Sequence, residues 1–268
     1  MSLDFYLKSI WLIGARYFMF AAIAFLVFYV IWRNRFFYRK IQGRFPKNSD
    51  YLREMFYSFL TICIFSLVSL ILFSHPKVAP HTTRYLDIHQ YGWAYYFLAY
   101  PLMFVMHDTY FYFTHRLMHH KKLFKWFHLV HHQSVNPSPW AAYAFHPLEA
   151  VVEAGIVVVF MFTIPMHRSH LLIFFLMMIV YNVYGHLGYE LYPKGFSKGA
   201  VGKWINTSIN HNQHHQYFKG NYGLYFLFWD RIFGTIRADY DEKFEEVKSR
   251  VPETEIDLPA ESFETARA

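Results

Sequence analysis

The chain has 268 residues, of which 54% are hydrophobic and 22% aromatic, and its net charge is +7. That length fits one domain, or one membrane unit with short extensions. Its single cysteine, Cys63, excludes an internal disulfide and any thiolate-rich metal site, so a transition metal here must take nitrogen or oxygen ligands.

The charge is unevenly spread. Residues 239–268 carry ten acids against four bases, which leaves the rest strongly basic. On an apolar chain that basic excess reads as membrane topology and lipid contact. No arginine-rich arm or nucleic-acid module is visible, so nucleic acid is not a predicted partner.

Apolar runs occupy Ile10–Trp32, Met55–Phe73 and Tyr91–Met106, and two shorter ones occupy Ala150–Pro165 and Leu171–Tyr184. A helix needs about 20 largely apolar residues to cross the hydrocarbon. The first two runs meet that length. Arg16 interrupts the first, which lacks a cleavage site and so does not read as a signal peptide. The last two are tilted spans or a hairpin that enters the bilayer and returns. The loop after the first run holds Arg33, Arg35, Arg39, Lys40, Arg44, Lys47 and Arg53, and the positive-inside rule makes it cytoplasmic. Counting crossings from there places Asp108–His146 and everything after Tyr184 on the same side. After Glu246 the chain turns polar, with Pro252 and Pro259. The predicted organisation is therefore N-terminal transmembrane helices with a basic cytoplasmic loop over 1–106, a catalytic region over 107–238 with a membrane hairpin at 150–184, and a flexible acidic tail over 239–268.

Seventeen histidines stand out, most of them between His107 and His215. Three clusters carry the pattern: His115-Arg-Leu-Met-His119-His120, His128-Leu-Val-His131-His132 and His211-Asn-Gln-His214-His215. Residues three and four apart share a helix face, so each cluster can aim two or three imidazoles at one point. Eight or more histidines are too many for one tetrahedral zinc and suit two metals. His146, in Ala-Phe-His-Pro-Leu-Glu149, and His186, in Gly-His-Leu-Gly-Tyr-Glu190, are further candidates. His75, His81, His89, His167 and His170 fall on the predicted far side and read as ordinary structural or surface residues, with His107 intermediate. Metal-bound histidines donate their second N–H to a carboxylate or carbonyl, and Asp108, Glu149, Glu153 and Glu190 are placed for that role. Asp108 and Glu190 are the candidate catalytic carboxylates. H-E-x-x-H, P-loop, G-x-S-x-G and G-x-G-x-x-G patterns are absent from the sequence.

The stretch His107-Asp-Thr-Tyr-Phe-Tyr-Phe-Thr-His-Arg-Leu-Met-His-His120, with His128-x-x-His-His132 and His211-x-x-His-His215, resembles the three histidine boxes of the fatty acid hydroxylase and sterol desaturase superfamily. Asn136–Pro147 and Gly220–Thr235 are similar to the sterol C5-desaturase (lathosterol oxidase) branch. The resemblance implies an all-α, polytopic membrane bundle with a cytoplasmic, histidine-rich helical cap holding two iron ions, with zinc a possible occupant after purification. It implies dioxygen as co-substrate, a lipid substrate taken from the bilayer, and electrons from a small cytochrome or ferredoxin. The reaction would be hydroxylation or desaturation of a sterol-like or fatty-acyl lipid. The matching metal positions are His115, His119 or His120, His128, His131, His132, His211, His214 and His215, with His146 and His186 in addition. Glu190 stands where fatty-acid hydroxylases carry another histidine. The rival reading is a histidine-rich membrane metal-binding or transport protein. Because the C-terminus shows no dilysine or other retrieval signal, a bacterial inner membrane is slightly favoured over the endoplasmic reticulum.

Overall fold

The computed structural model describes residues 2–251. Among them the architecture is helical, with two minimal strands. Helix α1 (Leu3–Phe25) starts where Ser2 Oγ accepts the N–H of Phe5, and runs on as a π-helical stretch, Leu26–Ile31. Helix α2 (Asn48–Ser74) starts where an Asp50 carboxylate oxygen accepts the Lys47 N–H. Helix α3 (Gly92–Met118) does not end with its apolar run at Met106. At 27 residues it is about 40 Å long, against a hydrocarbon core of about 30 Å, so its last turns reach past an apolar slab and carry His115.

Two short helices follow, α4 (Phe124–Phe127) and α5 (Leu129–His132). Helix α6 (Pro147–Thr163) and helix α7 (Arg168–Gly185) occupy the region of the two shorter apolar runs. Three segments are long and apolar enough to cross a membrane: Leu3–Ile31, Asn48–Ser74 and Arg168–Gly185. With 17 residues, α6 is about 25 Å long and falls short of a full span. Strand β1 (Arg84–Tyr85), between α2 and α3, pairs in parallel with β2 (Met166–His167), at the α6–α7 turn. The two loops expected to share the side opposite the histidines are thus tied to each other.

The rest of the chain caps the other end. Helix α8 (Ser208–Tyr217) has few apolar residues, yet Ser208–His215 are all buried, the mark of an element kept inside for its chemistry. Helix α9 (Phe228–Ile232) follows. The acidic tail expected from residue 239 begins instead as an ordered helix, α10 (Tyr240–Ser249). Tyr240, Phe244 and Val247 recur at helical spacing and pack with Ile41, Ile209 and Leu227 in a small core of the cap. The remainder of the expected tail, 252–268, lies outside the described residues. The main core lies between the long helices and includes Tyr17, Ile62, Met103, Phe160 and Phe174. Large apolar side chains such as Trp11, Leu67 and Phe97 face outward from them, as lipid contact requires.

Candidate metal centre

The histidine boxes do not each aim at one point. They divide between two. His115, His119, His128, His132 and His214 form one group, and His131, His186, His211 and His215 form the other. Within each group every residue offers a ligand atom less than 4.8 Å from all the rest. The helical repeat explains the division. Residues four apart are offset by only about 40°, whereas a residue three along lies on the other side of that line. So the pairs His115/His119, His128/His132 and His211/His215 stay together. His131 and His214, each three along from the first histidine of its box, cross to the other group.

The Nε2 atoms nearly touch. In the first group they are 2.8 Å apart for His115 and His128, 3.1 Å for His119 and His214, and 3.0 Å for His132 and His214. In the second they are 3.0 Å for His186 and His211, 3.2 Å for His211 and His215, and 3.4 Å for His131 and His186. A metal–imidazole bond of about 2.0–2.1 Å puts neighbouring ligand nitrogens about 2.8–3.4 Å apart in octahedral or tetrahedral geometry. The observed spacings fall in that window, so the residues present fit a metal ion in each group.

Surrounding groups orient the rings. A Glu149 carboxylate oxygen lies 2.6 Å from His128 Nδ1, with both residues buried. His115 Nδ1 lies 2.9 Å from the Tyr222 carbonyl, His214 Nδ1 2.7 Å from that of Gly220, and His186 Nδ1 2.8 Å from that of Asn182. A proton on Nδ1 leaves the Nε2 lone pair free to bind metal. Gly220 can turn its carbonyl this way because it sits at φ +82°, a conformation that costs glycine nothing. Burial, reinforced by mutual repulsion, pushes the imidazoles of His131, His132, His211, His214 and His215 well below their usual range. His119 is lowered to about 2 and His186 to about 4, burial again being the main cause. The cluster is therefore neutral at ordinary pH, the form in which imidazole ligates.

Not every expected residue arrives. His120 is exposed, its ring turned to the N–H of Lys122, so the first box uses the four-residue spacing to His119. His146 caps α6 by accepting the Leu148 N–H and joins neither group. Asp108 accepts the backbone N–H groups of Tyr225 and Phe226. Glu190 accepts those of Ile209 and Tyr192 and the Tyr184 hydroxyl. Neither carboxylate bonds a histidine. Both clamp the backbone of segments that carry or support the groups, because a buried N–H needs an acceptor wherever regular structure ends. Of the four carboxylates, Glu149 alone takes the histidine-orienting position. His167 and His170 bond the carbonyls of Leu86 and Tyr96, a structural role.

A cavity of about 640 Å³ leads away from this centre. His128, His131, His186 and His211 line its inner end, Phe65, Phe111 and Met178 are among its walls, and the exposed Leu86 and Leu172 mark its mouth near β1 and β2. Two clustered imidazole groups thus sit at the inner end of an apolar cavity, drawn largely from the boxes of α3, α5 and α8.

A fatty acid hydroxylase family model matches residues 100–235, half of the chain. The chain belongs to the fatty acid hydroxylase family. Similar curated proteins include a delta(7)-sterol 5(6)-desaturase of Gibberella zeae, 34% identical over 74% of this chain and 59% of its own. Another of that name from Aspergillus fumigatus is 31% identical over 60% of this chain and 55% of its own. Human lathosterol oxidase is 32% identical over 48% of this chain and 42% of its own. The chain thus spans about half the length of these relatives. They are fungal and mammalian, so the slight preference for a bacterial inner membrane draws no support from them. No solved structure matches. Family membership and these relatives thus accompany three helices long and apolar enough to cross a membrane.

Proposed function

We propose that this protein is a membrane-bound di-iron oxidoreductase that uses dioxygen and external electrons to hydroxylate or desaturate a lipid. The observation that carries the reading is the pair of imidazole groups at the closed end of the cavity. His115, His119, His128, His132 and His214 would hold one ion, and His131, His186, His211 and His215 the other. Two bound irons supply the oxygen-activating redox chemistry that an unactivated C–H bond requires. The protein's own residues do the rest. Glu149 keeps the His128 tautomer that presents Nε2 inward, and the carbonyls of Tyr222, Gly220 and Asn182 do the same for their partners. The cavity walls hold a lipid methylene beside the histidines and keep water away.

Electrons would come from a small cytochrome or ferredoxin meeting the cap on the cytoplasmic side. The cytoplasmic placement rests on the basic loop between α1 and α2, which lies at the histidine end. The sterol desaturase relatives support a sterol-like lipid, and the family match leaves fatty-acyl chains equally open. Elemental analysis of detergent-purified protein, with Mössbauer spectroscopy after growth on iron-57, tests the reading. About two irons per chain with a coupled signal is the expected result. Folded protein that takes up no stoichiometric metal, even after anaerobic iron reconstitution, would overturn it.

A further inference from the structure

The polar groups of the cavity are sorted along its length. The inner end holds imidazoles and Glu149, and Glu153 lies one turn further along α6. The charged side chains of the outer part are all cations: Arg84 and Arg168 at the mouth, both exposed, and Arg16 deeper in, among neutral polar groups such as Ser69, Tyr85 and His167. Arg16 lies outside residues 100–235, so it belongs to this chain's own N-terminal helix and not to the family match.

Its position is costly. Arg16 is 13 residues from Leu3 and 15 from Ile31, about 20 Å from either end of that helical segment. Its side chain cannot carry the charge to either surface, and a permanent charge in mid-membrane marks a working path. Among the described residues it forms no ion pair, and its buried Nε has no hydrogen-bond partner. The buried Tyr143 hydroxyl faces the Arg16 side chain in the same cavity wall. The guanidinium carbon lies 5.7 Å from the centroid of Phe175. Phe175 lies on α7, 11 residues before His186, so Arg16 sits on the mouth side of the metal-ligating end.

An unpaired guanidinium in a low-dielectric cavity pairs best with a planar anionic oxygen group, which it can grip with two parallel N–H donors. A neutral sterol would leave the charge unanswered. We propose that Arg16 is a specificity-determining residue, and that the substrate is a single-chain lipid acid bound with its carboxylate outward on Arg16. Arg84 and Arg168 draw the acid into the mouth. The chain then points inward, toward the histidines. The direction of the chain rests on the lipid-oxidation reading, whereas the binding itself does not.

The test compares binding of tritiated oleic acid with that of methyl oleate and cholesterol, by scintillation proximity on purified protein in nanodiscs. Wild-type protein should bind the acid about ten-fold or more tightly than the ester, as a charged hydrogen-bonded pair implies. Arg16→Gln should remove that preference, Arg16→Lys should keep part of it, and iron content should be the same in all three. Equal binding of acid and ester by the wild type overturns the proposal with no variant needed. So does an acid preference that survives Arg16→Gln, or tighter binding of cholesterol. Absence of iron alongside a clear acid preference would instead sink the oxidoreductase reading and leave this one standing.

Discussion

Replacing Glu149 by glutamine probes the centre without removing a ligand. The carboxylate sits 2.6 Å from His128 Nδ1, and the two side chains are 1% and 2% exposed. Its second oxygen, Oε2, has no hydrogen-bond partner, so His128 is the one side chain that carboxylate bonds. A hydrogen bond to a charged group contributes about 1.5–3 kcal/mol, against about 1 for a neutral one. Glu149→Gln keeps the shape and drops the charge, so about 1–2 kcal/mol of ligand orientation is lost. That corresponds to roughly 5- to 30-fold in metal affinity, near the low end of what such partners usually control. The loss should fall on the five-histidine group alone, because Glu149 touches no histidine of the other. Anaerobic titration of metal-free protein with cobalt(II) against a competing chelator reads both sites through their absorption. Two tight sites in the wild type should become one tight and one weakened. Unchanged affinity at both sites, or equal weakening of both, would refute the reasoning.

Exchanging His131 for alanine should halve the metal content, and exchanging His214 should do the same through the other group, with membrane insertion intact. His120→Ala and His146→Ala should retain full metal, since one ring is exposed and the other caps α6; loss of metal in either would show the two groups to be wrongly drawn. Acid should destabilise the metal-free protein. The folded pKa values lie below the unfolded value of about 6.5, so as pH falls the unfolded chain takes up protons first. The imidazoles' contribution to the melting temperature in detergent, read as the difference between wild type and His131→Ala or His214→Ala in metal-free protein, should be unchanged above about pH 7 and turn against the wild type as pH falls from about 6.5 to 4; a change the other way would contradict the neutral cluster. Phe244→Ala should cost about 3–5 kcal/mol in the cap and make α10 sensitive to limited proteolysis, while a flexible tail would show no change.

Local sequence settled a good deal of this protein. Spacings of four residues bring His115 to His119, His128 to His132 and His211 to His215, because that interval nearly completes a helical turn. The long apolar runs were equally legible, since each answers to a solvent and not to a partner. The helix of Tyr240, Phe244 and Val247 could have been read from its spacing, but the surrounding acids obscured it. Other features needed the folded chain. Adjacent residues on a helix point about 100° apart, so only the packing of α3 against α5 and α8 could choose His119 over His120. Asp108 and Glu190 looked like histidine partners from their spacing. They became backbone clamps because the turns at Tyr225 and Ile209 leave buried N–H groups unpaired. The division of nine histidines into five and four, and the place of Arg16 in the same cavity, join residues up to two hundred positions apart. Periodicity acts over a few turns of helix, while convergence on one point is decided by how whole helices pack.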